Sequence, residues 1–495
     1  MKTHLTVTLL LTAAFAISSP AAKRNIVLFV TDDQSPDTGA YGNTAINTPH
    51  LDALASDGTL FTHAFATTAS CSASRSVILS GLHNHANGQY GHQHAFHKFS
   101  SWENLQTLPV LLTRHGYRTA QIGKYHVAPE QVYRFETYLK GNARNAPQMA
   151  NQCKEFINAT DERPFFLYFA TSDPHRGGGV DKTSQMKHKP DLFGNKSKKG
   201  SHDGVDEVFY DPKDVIVPKF LPDTPTSREE IAQYYQSISR IDQGVGRLVQ
   251  LLKEAGKYEE TLIVFTSDHG MAFPGGKTTV YEGGLKVPFI VHHPDVEQRG
   301  IKSDAMISHI DITPSLLDFA GAWNPAKQSP LASLIKPVEK TKDNQGRVPN
   351  KLHGRSWVPA LGQPHIDGWN NIGASHTFHE IQMYYPMRAV RDREYKLIWN
   401  IAHPLPYPFA SDLWAAATWQ TQWDKGKDAP YGTKTVGEYI QRPQFEFYDI
   451  KNDPDEAHNL ADETSHAETL ETYKSKLKAF QKATGDPWIT KWDYE

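Results

Sequence analysis

The sequence has few cysteines and no excess of charge of either sign. Cys71 and Cys153 are the two cysteines among 495 residues, so at most one bridge can form, which excludes the dense disulfide framework of a small secreted domain. The 52 Lys and Arg nearly balance the 55 Asp and Glu, giving a net charge of −3. Such a chain has no global field that attracts nucleic acid or a membrane surface, so an anionic ligand must be held by a local arrangement.

Long hydrophobic runs are also scarce. The run from Leu5 to Ile17 is shorter than the roughly 20 residues that a membrane-spanning helix needs, and no later run reaches that length. Lys2 precedes this run and the small residues 18–22 follow it, which predicts a secretory signal peptide over residues 1–22 rather than a buried N-terminal helix. We therefore expect an exported protein without a membrane span, in a periplasmic, secreted or lysosome-like compartment.

The remaining chain alternates between apolar runs and helical patterns. Continuous hydrophobicity in Asn25–Val30, Phe165–Ala170 and Thr261–Phe265 predicts strands that are buried on both faces. Apolar residues recur at helical spacing from Arg228 to Lys253, before Gly256. Strands that alternate with helices predict an α/β fold with a large mixed, mostly parallel sheet flanked by helices, and ligands in such sheets lie beyond the carboxyl ends of the strands.

After about Gly373 the pattern changes. Met387–Trp399 and Phe445–Asp449 predict strands, and Glu468–Thr484 predicts a closing helix. We expect a catalytic domain over residues 23–372 and a smaller C-terminal α+β domain over residues 373–495 that completes the substrate pocket.

Two polar segments of the larger domain, Arg176–Gly204 and Trp323–Gly354, predict surface loops. The first contains six lysines that either contact a polyanion or are simply solvated. These are Lys182, Lys187, Lys189, Lys196, Lys198 and Lys199.

Acidic residues follow two of the predicted strands. Asp32 and Asp33 come after the first, and Asp268, followed by His269, comes after another. Three such carboxylates would repel one another, so either a cation or raised pKa values must compensate them. Carboxylate oxygens suit a hard cation, which makes a metal site the simpler interpretation, whereas an isolated Asp pair often only caps a turn.

The segment from Cys71 to Arg75 resembles the signature C-x-P/A-x-R of the type I sulfatase family, in which the cysteine is oxidised to formylglycine. Further family motifs occur in the same order along the chain. They are Asp32-Asp33, Gly123-Lys124-Tyr125-His126, Asp173-Pro174-His175, Asp268-His269-Gly270 and Lys277. The resemblance runs from about Arg24 to Asp453-Pro454 and implies an alkaline-phosphatase-like fold.

Within that family the sequence is most similar to the sulfamidases, the heparan N-sulfoglucosamine sulfohydrolases. The similarity depends on stretches in both predicted domains, namely Thr48–Ala55, Asn87–Gly91, Lys124–Glu130, Asp173–Arg176, Asp242–Gly246 and Tyr385–Arg388. Ala73 replaces the proline that the common aerobic maturation enzyme prefers, and His269 replaces an asparagine. These two departures leave the maturation enzyme and the identity of one metal ligand open.

The resemblance implies a role for each motif residue. Residue 71, as an aldehyde hydrate, attacks sulfur with one hydroxyl and expels sulfate through the other, and its place at the start of a helix favours an anion. The implied ligands of one Ca²⁺ per chain are Asp32, Asp33, residue 71 and Asp268, with His269 either a weak ligand or a sulfate contact. Arg75, Lys124 and Lys277 are implied to hold residue 71 and the sulfate. His126 is implied to accept a proton from the hydrate, and His175 to protonate the leaving group.

Substrate specificity should lie where the smaller domain reaches the pocket. The candidate substrate-binding residues are His97, Arg176, His379, Glu380 and Arg388. An amino sugar with a carboxylated neighbour needs hydroxyl acceptors and an anion donor, although His379, Glu380 and Arg388 could instead form an interdomain ion-pair set. The neighbouring His83, His85, His92 and His94 are expected to be exposed or packed against helices.

The sequence therefore predicts an exported, Ca²⁺-dependent sulfatase that removes the N-sulfate of glucosamine from heparan-type saccharides, from the non-reducing end. An O-sulfatase acting on 6-O-sulfated glucosamine or another sulfated glycan is the alternative, because the same motifs serve both bonds. A non-catalytic glycan-binding protein would not need the whole set of acid, base, nucleophile and metal ligands. The implied partners are a sulfated glycosaminoglycan saccharide, a formylglycine-generating maturation enzyme and a second copy of the chain, but no nucleic acid.

Overall fold

A computed structural model describes residues 24–196, 202–324, 329–330 and 351–494. The predicted signal peptide lies outside these residues. Among the helices described, none is both long and apolar enough to cross a membrane. Cys71 and Cys153 are both buried and free, so the one possible bridge is not formed.

The strands of the described residues form one large sheet, one smaller sheet and three short ribbons. Strands β1 to β9 are Asn25–Thr31, Thr59–Phe65, Gln93–His94, His97–Lys98, Arg118–Gly123, Thr137–Leu139, Phe165–Ala170, Thr261–Ser267 and Phe289–His292. Strands β10 to β18 are Ile301–Ser308, Trp323–Asn324, Ser329–Pro330, Asn371–His376, Met387–Asp392, Tyr395–Asn400, Pro430–Tyr431, Lys434–Thr435 and Phe445–Asp449.

The helices lie mostly between the strands of the large sheet. Helices α1 to α6 are Pro49–Ser56, Cys71–Ser80, Asn84–Asn87, Leu108–Arg114, Ala146–Gln152 and Lys154–Ile157. Helices α7 to α13 are Pro225–Glu254, Glu282–Leu285, Ile312–Phe319, Ser411–Trp414, Ala417–Trp423, Val436–Ile440 and Ala467–Thr484. Short 3-10 helices are Gly39–Tyr41, Glu130–Val132, Tyr258–Glu260, His309–Asp311, Val358–Ala360, Thr464–His466 and Pro487–Trp492.

The large sheet has eight strands in the order β10-β2-β9-β8-β1-β7-β5-β6. All neighbours are parallel except β9, which is antiparallel to both β2 and β8. Successive residues of β1 are buried in different clusters, because Ile26, Leu28 and Val30 pack on one face while Val27 and Phe29 pack on the other. The predicted α/β class with a mixed, mostly parallel sheet buried on both faces is confirmed.

The long helix α7 covers one face of this sheet. It begins one turn earlier than the helical pattern from Arg228 indicates, because Thr224 caps it by accepting a hydrogen bond from the Ser227 N–H and Pro225 occupies its first turn. The chain leaves the helix at Gly256, whose φ of +65° lies in the left-handed region.

The C-terminal part forms an antiparallel sheet in the order β13-β14-β15-β18, with α13 packed against it. The apolar run Met387–Trp399 forms two strands rather than one, since the chain reverses at Arg393 and Glu394 and Asp392 accepts hydrogen bonds from the backbone of residues 394 and 395. The predicted closing helix agrees with α13 to within one residue. The domain boundary at residue 373 stays a prediction.

The segment Arg176–Gly204 is only partly a surface loop. Phe193 is fully buried, with its ring 5.7 Å from that of Tyr234 and 5.5 Å from that of Phe273. Lys187 is exposed and pairs with Asp424. Lys198 and Lys199 of the segment Arg176–Gly204 lie outside the described residues, as does most of the second predicted loop.

Candidate active site

The carboxyl ends of β1 and β8 bring the predicted acidic residues together. These strands are parallel neighbours, so Asp32 and Asp33 after β1 lie beside Asp268 and His269 after β8. All four side chains are fully buried, and the Asp33 N–H donates to Asp268 Oδ1 at 2.9 Å. Cys71, at the start of α2, lies on the same side, with Sγ 3.6 Å from Asp33 Oδ1 and 3.4 Å from His269 Nε2.

Three cations compensate the three carboxylates. Arg75, one turn after Cys71 on α2, lies 3.0 Å from Asp32 Oδ1 through Nη2 and 3.0 Å from Asp268 Oδ2 through Nε. The other two cations also contact carboxylates at short distances. Lys124 Nζ is 2.5 Å from Asp32 Oδ2, and Lys277 Nζ is 3.0 Å from Asp33 Oδ2.

The electrostatics of the carboxylates follow from this pairing. Burial opposes ionisation of Asp32, but the nearby Lys124, His175 and Arg75 outweigh it and hold the pKa of its carboxyl well below the usual range. Burial and the charge of Asp32 raise the pKa of Asp268 to about 6. Asp268 thus remains the least compensated member of the group.

Two overlapping sets of side chains could hold a metal ion. One contains Asp32, Asp33, Cys71 and His175, and the other contains Asp33, Cys71, Asp268 and His269, with the ligand atoms of each set within 4.8 Å of one another. Half of the donors in each set are carboxylate oxygens, which suit Ca²⁺ or another hard cation. The raised pKa of Asp268 to about 6 indicates that the buried group can accept further positive charge.

The Cys71 side chain is a poor nucleophile in its thiol form. Burial raises the pKa of the Cys71 thiol well above its usual value, although Lys124 and Lys277 act in the opposite direction. Only the thiolate is strongly nucleophilic, so a buried neutral thiol does not serve that role.

His175 lies beside Lys277 with a fixed tautomer. Its Nδ1 donates to the Arg176 carbonyl oxygen at 2.6 Å, which leaves Nε2 free to accept from Lys277 Nζ at 2.8 Å. Burial, and then the charge of Lys277, lower the pKa of His175. The Nε2 atom also lies 3.7 Å from Asp33 Oδ2, so it faces the buried carboxylate group.

His126 lies just beyond the end of β5, two residues after Lys124. Burial, followed by the charge of Lys124, lowers the pKa of His126 well below its usual value, so the ring is neutral and able to accept a proton. Its φ of +54° lies in the left-handed region, as do those of Asp33 at +64° and Thr278, next to Lys277, at +68°. Such conformations cost energy in non-glycine residues and are common at functional sites.

The sequence did not identify Asp412. It lies on α10, and its Oδ2 is 2.8 Å from Lys277 Nζ. Burial opposes its ionisation, but Lys277, His175 and His379 outweigh burial and lower the pKa of Asp412. No local motif marks this residue, because it stands alone in an aromatic stretch between two strands of the smaller sheet.

Three of the predicted substrate-binding residues lie close together. His379 is buried, with Nδ1 3.0 Å from Ser70 Oγ beside Cys71. The half-buried Glu380 accepts a hydrogen bond from Ser411 Oγ at 2.7 Å, next to Asp412. The half-buried His97 accepts from the Ile381 N–H at 3.1 Å. These contacts connect the two parts of the chain around the pocket.

The other two predicted substrate-binding residues do not present their guanidinium groups to the pocket. Arg176 is buried against Glu230 at 2.7 and 3.0 Å, between the rings of Phe193 and Phe273. The Arg176 guanidinium group is therefore already paired with a carboxylate of the protein.

Arg388 forms the second of these committed pairs. It is fully buried and donates to both carboxylate oxygens of Asp486, at 2.6 and 2.9 Å. Both residues belong to the C-terminal part, so this ion pair does not join the two predicted domains. Neither Arg176 nor Arg388 is available to bind a substrate anion in this structure.

The histidines of the segment 83–94 agree with expectation in part, since His94 is exposed. His83 and His85 are buried and stack at 5.3 Å, as expected for packed residues. His92 and His94 lie beside His126 instead, and His94 Nδ1 is 2.7 Å from His126 Nε2. Their density in sequence was visible, but their convergence on His126 depends on the fold.

Comparison with known proteins identifies relatives across the whole chain. A family model described as Sulfatase matches residues 24–322. Human N-sulphoglucosamine sulphohydrolase is 38% identical over 482 residues, which cover 95% of this chain and 92% of that protein. An N-acetylglucosamine-6-O-sulfatase of Bacteroides thetaiotaomicron is 24% identical, covering 98% of this chain and 92% of that one.

Solved structures share the fold. The structure of BT4656 with its substrate D-glucosamine-2-N,6-O-disulfate superposes with a TM-score of 0.64 at 19% identity, covering 94% of this chain and 99% of that chain. A phosphonate monoester hydrolase of Agrobacterium radiobacter gives a TM-score of 0.64 at 18% identity, covering 93% and 96%. At these identities the likeness concerns the fold alone.

Proposed function

This chain belongs to the sulfatase family, and from that premise we propose that it hydrolyses the N-sulfate of glucosamine in heparan-type saccharides, from the non-reducing end. Its membership makes it a hydrolase of sulfate esters or sulfamates. The choice of the N-sulfate is supported by 38% identity to the human N-sulphoglucosamine sulphohydrolase over nearly all of both chains. The observation that carries the chemistry is the buried group in which Cys71 contacts Asp33 and His269, and in which cations pair with the Asp32, Asp33 and Asp268 carboxylates.

We propose that a formylglycine-generating enzyme converts Cys71 to formylglycine before the protein is active. An aldehyde hydrate at residue 71 supplies one hydroxyl as nucleophile and a second whose loss of a proton releases sulfate and restores the aldehyde. The contacts of Cys71 Sγ with Asp33 and His269 support this proposal, since they place residue 71 within the group that would hold the ion.

One Ca²⁺ would be held by Asp32, Asp33, Asp268 and residue 71, with His269 completing the group. The bound ion would supply positive charge that polarises a sulfate oxygen. The donor chemistry fits, because Asp33 and Cys71 belong to two sets of ligand atoms, one with Asp32 and one with Asp268 and His269, and the atoms of each set lie within 4.8 Å of one another.

The chain's own cations and histidines would act around this group. Arg75 would fix the position of residue 71, while Lys124 and Lys277 hold the sulfate oxygens and balance their charge. His126, neutral because burial lowers its pKa, would accept a proton from the residue-71 side chain. His175 would donate a proton from Nε2 to the departing amine, with Lys277 within one hydrogen bond as a proton source.

A second candidate function is the removal of O-sulfate from 6-O-sulfated glucosamine or another sulfated glycan. The similarity to the Bacteroides 6-O-sulfatase over 98% of this chain favours it, and the proposed nucleophile and cations serve S–O and S–N cleavage alike. His97, His379 and Glu380 are the proposed sugar contacts in either case, and His379 contacts Ser70 beside residue 71.

We also propose that the protein is exported and assembles as a homodimer. Export is supported by the N-terminal pattern of Lys2, an apolar run and small residues. Export of the full-length chain, followed by N-terminal sequencing of the mature protein, tests the cleavage site near residue 22. Light scattering of that material tests the dimer.

The substrate is tested with a panel of N-, 2-O-, 3-O- and 6-O-sulfated saccharides, monitoring free sulfate and product mass. We expect sulfate release with a free amine on glucosamine, and none from a Cys71→Ala control that keeps its melting temperature. Intact mass should show the thiol of the active protein replaced by an aldehyde or its hydrate. Release of only O-sulfate would establish the second function, and full activity with an unmodified thiol would overturn the mechanism.

A further inference from the structure

Three histidines form a compact group beside the buried carboxylates. The ring centroids of His92, His94 and His126 lie 4.9 Å apart in each of the three pairings, so the rings occupy the corners of a nearly equilateral triangle. One ring nitrogen of each lies within 4.8 Å of those of the other two. His92 and His94 come from the segment around β3, whereas His126 follows β5, so the fold assembles the group from separate parts of the chain.

Several nitrogens of this group have no hydrogen-bond partner among the residues that the structure describes. His92 is only 4% exposed, yet neither of its ring nitrogens forms a hydrogen bond, and the buried Nδ1 of His126 also lacks one. Buried polar atoms are normally paired, because leaving them unpaired costs desolvation free energy. His94 is exposed, so a ligand can enter from solvent.

We propose that His92, His94 and His126 form a binding site for a divalent transition metal ion, and we take Zn²⁺ as the ion to be tested. Imidazole nitrogens suit Zn²⁺, Cu²⁺ and Ni²⁺, whereas the neighbouring carboxylate group suits a hard cation, so the two groups select different ions. Tetrahedral Zn²⁺ with bonds of about 2.0–2.1 Å holds its nitrogens roughly 3.4 Å apart. The ring nitrogens lie within 4.8 Å of one another, and His94 Nδ1 and His126 Nε2 are 2.7 Å apart, so the spacing that Zn²⁺ needs falls between these two distances.

The site has a functional consequence that rests on the function proposed above. A metal bound to His126 occupies a lone pair of the residue that we propose accepts a proton during turnover. Zn²⁺ at this site therefore inhibits hydrolysis without displacing the ion held by the carboxylates. Binding itself does not depend on that assignment and is tested without an activity measurement.

Binding is tested by equilibrium dialysis of the purified, Ca²⁺-loaded protein against Zn²⁺ in excess Ca²⁺, with both metals quantified by mass spectrometry. We expect one Zn²⁺ per chain with Ca²⁺ retained, and binding at least 10-fold weaker in His94→Asn. His97→Asn is the matched control, because His97 lies on the same hairpin but outside the triangle, with Nδ1 already accepting from Ile381 N–H. Because His94 is exposed, its replacement should leave the fold intact, as a melting curve verifies.

A second measurement uses Co²⁺, whose visible absorption is intense in tetrahedral nitrogen sites. We expect such a band in the wild-type protein and in His97→Asn, and its loss in His94→Asn. Absence of Zn²⁺ binding, equal binding by wild type and His94→Asn, or loss of Ca²⁺ equal to the Zn²⁺ gained would each overturn the site. If Zn²⁺ binds as expected but hydrolysis is unchanged, the metal site stands and the role of His126 in turnover is wrong.

Discussion

Asp412 Oδ2 lies 2.8 Å from Lys277 Nζ, so a carboxylate from the C-terminal part of the chain completes an ion-pair group of the large sheet. On its other side Lys277 contacts Asp33 at 3.0 Å, and Asp412 also lies 3.6 Å from His175 Nε2. The Lys277 ammonium is thereby held between two carboxylates. The position of a proposed sulfate-binding cation thus depends on a residue 135 positions away in sequence.

Replacing Asp412 by Asn should lower kcat by about 10- to 100-fold, the value of one charge-assisted hydrogen bond of roughly 1.5–3 kcal/mol. The amide keeps the size of the side chain but removes the charge that holds Lys277. Asp424→Asn, which affects an exposed pair with Lys187, is the control and should leave kcat unchanged. An unchanged kcat in a correctly folded Asp412→Asn protein would remove Asp412 from the site.

Asp268→Asn should weaken Ca²⁺ binding and turnover together. The amide keeps the volume but withdraws one of a few anionic oxygens from the proposed ion. The Ca²⁺ content after dialysis is measured together with the activity of the same protein. Asp455→Asn is the control, because Asp455 pairs with the exposed Lys219. Full Ca²⁺ occupancy in Asp268→Asn would contradict the ligand assignment.

The core of the fold could be predicted because its signals are local. The strands β1, β7 and β8 are largely apolar runs, and α7 repeats apolar residues at helical spacing over most of its 30 residues. The convergence of Asp32 and Asp268 followed from the geometry of a parallel sheet, in which carboxyl ends share one edge. Cys71, Arg75 and Lys124 carried a recognisable motif.

The sequence is least informative where the partner of a side chain is distant in sequence. Nothing near Arg388 reveals that Asp486, 98 residues later, occupies its guanidinium group. Asp412 likewise acquires its role only when α10 is placed beside Lys277. Local sequence reports which chemistry a residue could perform, whereas the fold decides whether its charge is already paired.

The Arg388–Asp486 pair should therefore affect stability rather than substrate affinity. Breaking a buried ion pair costs about 3–5 kcal/mol because the remaining charge is left uncompensated, so Arg388→Ala and Asp486→Asn should both unfold at lower denaturant concentration. The KM of the folded fraction should stay unchanged. A raised KM with unchanged stability would return Arg388 to the substrate pocket.

The same pair predicts a pH dependence. Burial opposes ionisation of Asp486, but Arg388 outweighs it and holds the pKa of that carboxyl below its unfolded value. A lowered folded pKa adds stability above the unfolded value of about 3.9, and this stability is lost as the pH falls further. The difference in unfolding free energy between wild type and Asp486→Asn should thus be constant near neutral pH and shrink below about pH 4.

His175 offers a comparison that separates acid catalysis from sulfate binding. Its Nδ1 is fixed by the Arg176 carbonyl oxygen, so Nε2 is the atom that faces Lys277 and the pocket. An amine that leaves sulfur is a far stronger base than an aryl oxide, so only S–N cleavage depends heavily on a proton donor.

His175→Ala should reduce turnover of N-sulfated glucosamine by roughly 10²- to 10⁴-fold while affecting an activated aryl sulfate much less. Lys124→Ala is the contrasting variant, because it removes a proposed contact to the sulfate that both substrates share and has no part in proton donation, so it should reduce both rates alike. Equal losses for His175→Ala on the two substrates would assign it to holding the sulfate, since a residue that only binds the common group cannot distinguish their leaving groups.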